Sequence, residues 1–257
     1  VEAAMNEPIL SVRGLSKSFG GVHAVQNVSL DVWPREKVAL IGPNGAGKTT
    51  FYNMLSGRLR PSDGSVSFEG QDITGLPPHR ISRLGISRSF QITNIFSELS
   101  VRQNVEVALT ALHGKGLQMF RIASRDRALR EEAEQILAQL GLAELADLRA
   151  GVLSYGDKRL LEIAIVLATR PRLVLLDEPT AGMTPEETRQ VTRLIRELAA
   201  SNTYTFLITE HDMSVVFDLA DRIVVMHRGQ LLAEGSPEEI RNNKAVREAY
   251  LGEEEEP

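Results

Sequence analysis

Residues 37–50 read KVALIGPNGAGKTT, and no other stretch restricts the fold as tightly. A short apolar run enters Gly42-Pro43-Asn44-Gly45-Ala46-Gly47-Lys48-Thr49-Thr50, which fits G-x-x-x-x-G-K-[ST] in the strand, loop, helix setting that this pattern requires. Gly45 and Gly47 let the backbone curl so that successive amides point inward at phosphate oxygens. The helix that begins at about Lys48 adds its positive end, Lys48 a mobile charge, and Thr49 a hydroxyl for Mg²⁺. A chance Gly-rich turn would need both the preceding strand and the Lys-Thr pair to be accidents.

A strand of this kind belongs to a parallel sheet, and the rest of the chain supplies one. LVLL (173–176) and TFLIT (205–209) are apolar runs separated by the amphipathic segment PEETRQVTRLIRELAA, and IVVM and GQLLAEG follow. Buried β-runs alternating with helices argue for parallel pairing. The opening ILSVRGLS, VSLDVW and SVSFEG read as short strands of an antiparallel layer. From about residue 100 to 168 the period turns helical, with Leu129, Ala133, Ile136, Leu137 and Leu140 on one face. The expected class is α/β, with an N-terminal antiparallel β subdomain and an inserted helical subdomain. The 9–91 and 169–252 segments would form the β layer and the parallel core, 92–168 the helical insertion, and 253–257 an acidic, solvated tail.

Composition narrows the function. The 257 residues are 42% hydrophobic, enough for one large domain. The net charge is -5 without a basic stripe, so no nucleic-acid partner is expected. There is no cysteine, which excludes disulfides and thiolate metal sites. No run approaches the ~20 apolar residues of a membrane span, and VEAAMNEPIL lacks the pattern of a signal peptide. A cytoplasmic chain is expected, with Met5 as its native start.

A phosphate site also needs carboxylates. Asp177 and Glu178 stand at the end of LVLL, where α/β sites are built. Asp177 is assigned to Mg²⁺ through its water shell, and Glu178 to polarising the attacking water. His211 follows TFLIT at the same kind of edge and is placed to reach a terminal phosphate. Phe19, before Gly20-Gly21, offers a ring for stacking on adenine, with packing in the β layer as the competing role. Gln91, where sheet gives way to helix, offers an oxygen to the metal. The stretch VLSYGDKR (152–159) places Ser154 and Asp157 three apart at a helix start, the spacing of a capping box.

These residues, in this order, resemble the nucleotide-binding subunit of ATP-binding cassette (ABC) transporters over essentially 9–252. The chain has the aromatic Phe19, the Walker A loop at 42–50, the Q-loop Gln91, a signature at Leu153 to Asp157, Walker B with Asp177 and Glu178, a D-loop at Ala181 to Thr184, and the switch His211. The resemblance implies a P-loop NTPase (RecA-like) core. It implies ATP and Mg²⁺ as ligands, with Lys48, Glu178 and His211 catalytic and Thr49, Gln91 and Asp177 around the metal. Gly42, Pro43, Asn44, Gly45, Ala46, Gly47, Thr50 and Phe19 would hold the nucleotide. It also gives Ser154 and Gly156 a role in trans, covering the γ-phosphate held by the Walker A loop of a second subunit. Two features depart from the usual LSGGQ and acidic D-loop: Tyr155 and Asp157 in the signature, and Ala-Gly-Met-Thr in the D-loop.

Within that family, GISRSFQITNIFSELSVRQNVEVAL, LEIAIVLATRPRLVLLDEPTAGMTPEET and IRNNKAVREAYLG are similar to the ATPases of branched-chain amino acid importers. The implied assembly is a dimer, either a homodimer or a pair with a sister ATPase subunit. It would sit on the inner face of the cell membrane against two transmembrane permeases, with a periplasmic substrate-binding protein acting indirectly. Ile95, Phe96 and Leu99 are expected either to receive a permease helix or to pack in the core. Urea or short-amide import is a second substrate reading, from the D-loop, and lipopolysaccharide export a third, from the YLG ending. A soluble family member serving translation or DNA maintenance would need a second cassette or a long coiled coil. A small-molecule kinase would leave the signature helix and His211 without work.

Overall fold

A computed structural model describes residues 7–89, 95–113, 127–201 and 203–251, the last by its backbone alone. In chain order these hold β1 (Leu10–Phe19), β2 (Val22–Val32), β3 (Lys37–Ile41), α1 (Lys48–Leu55), β4 (Asp63–Phe68), β5 (Gln71–Asp72), α2 (Pro78–Leu84), β6 (Ile86–Arg88), α3 (Val101–Leu112) and α4 (Arg127–Gln139). Two short 3₁₀ turns lead to α5 (Tyr155–Ala168), β7 (Leu173–Asp177), α6 (Pro185–Ala200), β8 (Thr205–Thr209), α7 (Met213–Leu219), β9 (Arg222–His227), β10 (Gln230–Gly235), α8 (Pro237–Asn242) and α9 (Lys244–Leu251).

Two sheets form. One is antiparallel, in the order β2-β1-β4-β5. The other runs β10-β9-β3-β8-β7-β6, parallel from β9 to β6 with β10 antiparallel at its edge. Every residue of β7 and β8 is buried, which explains why both read as unbroken apolar runs: each face of the sheet is covered. Val174, Leu176, Phe206 and Ile208 pack with α3, α4, α5 and α6. Leu173, Leu175 and Leu207 point the other way, into a cluster shared with α1 and the antiparallel sheet. The end of β7, which carries Asp177 and leads to Glu178, is therefore fixed by packing on both sides.

The helical periodicity is realised. Leu129, Ala133 and Leu137 of α4 are buried, Leu140 just beyond it is buried too, and Ile136 packs at the rim. In α6 the Thr184 hydroxyl accepts from the Glu187 amide while the Glu187 carboxylate accepts from the Thr184 amide, a reciprocal capping box. Two features were not legible. The strand read as ILSVRGLS continues to Phe19 through register shifts, because Gly14 takes φ +58 and a Cβ on Gly64 would lie 2.4 Å from the Gly14 carbonyl oxygen. β6 joins the parallel sheet with only three residues, too few for a periodicity to show.

Candidate nucleotide site

The loop between β3 and α1 is shaped by glycines that have no substitute. A Cβ on Gly47 (φ +100), the residue that opens α1, would lie 2.4 Å from the Ala24 carbonyl oxygen, and one on Gly42 2.2 Å from that of Met226. Gly45 takes φ +76 with open space around it. The turn thus closes against β2 and β9 on one side and stays clear on the other. That clear side is a cleft of about 400 Å³, lined by Phe19, Ala24, residues 44–50, Glu178 and His211. Gly42 and Pro43 stand behind it: their carbonyls accept from the Lys48 ammonium, Pro43 at 3.0 Å. Phe19 is half exposed at the mouth, with the Lys17 ammonium 5.3 Å from its ring centre.

The opposite wall is the end of β7. Asp177, 3% exposed, accepts from Arg88 Nη2 at 2.6 Å on one oxygen and from Thr209 Oγ1 at 2.7 Å on the other. Arg88 is itself held by Asn53 Oδ1 at 2.7 Å, so α1, β6, β7 and β8 converge on one carboxylate. Burial first, and Asp177 second, push the neighbouring Tyr52 phenol well above its ordinary pKa, which keeps it neutral.

Glu178 has φ +48, a left-handed backbone that costs a non-glycine residue roughly 1–3 kcal/mol. The surroundings hold it there. Its amide donates to the Thr209 carbonyl at 3.0 Å, and its own carbonyl accepts from Arg159 Nη2 at 2.9 Å. The side chain meets His211 Nε2 at 2.7 Å. His211 is placed by Glu210, a buried carboxylate that accepts from the Thr180 amide and hydroxyl at 2.8 and 2.6 Å and from the His211 amide at 3.1 Å.

Ser154 caps α5 and accepts from the Asp157 amide at 3.1 Å. The capping box expected there is only half formed. The Asp157 carboxylate accepts at 2.7 Å from the Ser154 hydroxyl, not from the Ser154 amide. Ser154 and Gly156 are not among the residues lining the cleft of this chain. Of the apolar knobs, Ile95 packs against the core and Phe96 is exposed, its backbone clamped by the Asn104 side chain at 2.8 and 3.1 Å. Gln91 lies outside the described residues, as do Gly252 of the YLG ending and the acidic tail.

The structure thus brings Phe19, the 44–50 loop, Glu178 and His211 together, and puts Asp177 behind them. Sequence reasoning missed Arg88, Thr209, Arg159 and Glu210. Arg159 left a signal: a cation three residues from Glu162 inside the apolar run of α5, where the two form a buried ion pair at 2.7 Å.

Comparison with known proteins agrees. Residues 25–181 match the family described as "ABC transporter", and residues 230–256 match "Branched-chain amino acid ATP-binding cassette transporter". The chain is 44% identical over 254 residues to the high-affinity branched-chain amino acid transport ATP-binding protein LivG of Escherichia coli (strain K12), covering 97% of this chain and 100% of that protein. It is equally identical over 256 residues, with the same coverage, to BraF of Pseudomonas aeruginosa, which is described in the same words. Among solved structures, a nucleotide-free ATP-binding cassette from an ABC transporter superposes with TM-score 0.83 at 34% identity, over 95% of this chain and 98% of that one. The ADP conformation of another such cassette gives 0.85 at 32%, over 96% and 100%.

Proposed function

The chain belongs to the ABC transporter family as an ATP-binding ATPase, and we propose that it drives uptake of branched-chain or other hydrophobic amino acids, working as a dimer docked on membrane permeases at the inner face of the membrane. One observation carries the dimer. The Walker A loop, Glu178 and His211 share a cleft, while the phosphate-binding signature at Ser154 and Gly156 does not line it. Each chain then holds one half of two sites, and ATP between them closes the pair. Among the described residues no helix is long and apolar enough to cross a membrane, and in this reading the permeases are separate chains. The exposed Phe96 offers one contact for them.

Within each site Lys48 leaves its loop carbonyls for the phosphates, Phe19 stacks on the base, and Glu178, aimed by His211, orients water for attack on the γ-phosphate. The donor set fits Mg²⁺: the Thr49 hydroxyl on the cleft is a hard oxygen ligand, Asp177, whose two oxygens are taken by Arg88 and Thr209, would act through the ion's water shell, and Gln91 is the third residue assigned. Among the described residues no cluster of three or more His, Cys, Asp or Glu could hold a metal; Mg²⁺ would complete its shell with water and substrate phosphate. When bound, Mg²⁺ neutralises charge on the phosphates.

The 230–256 match favours amino acids over urea or lipopolysaccharide as cargo. The test is to reconstitute the chain in liposomes with branched-chain amino acid permeases and their substrate-binding protein. Leucine, isoleucine or valine should stimulate ATP hydrolysis. Stimulation by urea alone would reassign the cargo.

A further inference from the structure

The signature turn and the loop after Walker B are tied together within one chain. Tyr155 Oη donates to the Ala181 carbonyl at 3.1 Å, and the Ala181 amide donates to the Glu178 carbonyl at 3.2 Å. One turn further along α5, Arg159 Nη2 reaches the Glu178 carbonyl at 2.9 Å and that of Asp177 at 2.8 Å, while Nε reaches Pro179 at 3.2 Å. A single helix therefore grips the peptide of Glu178 from two directions, at a residue whose φ of +48 needs holding. The first turn of α5 also meets the first turn of α6, where the Gly156 amide bonds to Glu187.

Tyr155 is 51% exposed, so core packing does not explain the aromatic at this position. Its neighbour Ser154 donates to the Asp157 carboxylate. A phosphate arriving at the turn must displace that carboxylate, by competition for the hydroxyl and by like-charge repulsion, and the turn must readjust. Tyr155, next to Ser154 in the chain, holds the Ala181 carbonyl.

We propose that Tyr155 and Arg159 are positioning residues. They carry the arrival of the partner's nucleotide at Ser154 and Gly156 to Glu178 of this chain's own site, so that filling one site aligns the base of the other. This rests on the dimer reading above. It gives the departure from LSGGQ a purpose: the Tyr155 hydroxyl supplies a link between the two sites in a chain whose D-loop lacks an acidic residue.

The test uses the full chain and ATP. Tyr155→Phe keeps the ring and removes only the donor. It should lower kcat about three- to tenfold, the scale of one hydrogen bond. It should also bring the Hill coefficient for ATP toward unity, with ATP affinity by calorimetry and the melting temperature unchanged. Arg159→Lys keeps the charge for Glu162 but loses the fork, and should move the same two readouts further. Wild-type kcat and cooperativity in Tyr155→Phe would overturn the inference. So would a lowered kcat that tracks a lowered melting temperature while the Hill coefficient holds. In the Glu178→Gln background, ATP should still dimerise the Tyr155→Phe chain. If ATP dimerises neither chain, the dimer reading fails and takes this inference with it. A chain that dimerises but ignores Tyr155→Phe overturns the inference alone.

Discussion

His211 Nε2 stands 2.7 Å from Glu178 Oε1, across the gap between the loops that follow β8 and β7. Neither side chain is placed by chance. Glu210 fastens the His211 amide to Thr180, and Thr209 holds the Glu178 amide, so the two loops are laced together before the side chains meet. A carboxylate aimed by a ring nitrogen is confined to a narrow arc, as a base for water must be. His211→Ala should therefore lower kcat about a hundredfold, at the lower end of what positioned acid–base groups contribute. ATP affinity measured by calorimetry should be nearly unchanged. A variant with normal kcat would show that Glu178 is aimed by something else.

The Arg88–Asp177 pair predicts a stability effect. The two side chains are 7% and 4% exposed and 2.6 Å apart. Removing one partner leaves the other charge buried, at a cost of about 3–5 kcal/mol. Arg88→Ala should lower the unfolding free energy by that amount, read as a lower denaturant midpoint at an unchanged slope. A loss under about 1 kcal/mol would mean that Thr209 and water suffice for Asp177.

Glu187 predicts a pH dependence. The Thr184 amide and hydroxyl, and then the Gly156 amide, hold its carboxyl below the ordinary value of 4.5. Its stabilising contribution is therefore complete above that value and is lost as the pH falls through the lower, folded-state pKa. The melting-temperature gap between wild type and Glu187→Gln should be constant from neutrality down to about pH 5, and should close on further acidification. A gap that widens in acid would contradict the assignment.

Much of this was legible in the sequence because the decisive signals are local. KVALI and the Gly-rich loop specify strand, turn and helix in a dozen residues, and PEETRQVTRLIRELAA carries its own apolar stripe. The partners of Asp177 were not legible. Arg88 lies 89 residues away and Thr209 lies 32 away, and only the pairing of β6 and β8 with β7 brings them together. Arg159 escaped for a related reason. A cation in an apolar helix marks burial, but which carbonyls it serves depends on how α5 lies against the end of β7.

The site as a whole is tested most directly by Glu178→Gln, compared with Lys48→Ala. The Glu178→Gln chain should bind ATP and elute from gel filtration as an ATP-dependent dimer, with hydrolysis abolished. Lys48→Ala should lose nucleotide affinity and remain monomeric. Normal hydrolysis by Glu178→Gln, or an elution position that ATP does not move, would contradict a catalytic base at Glu178 in a site shared between two chains.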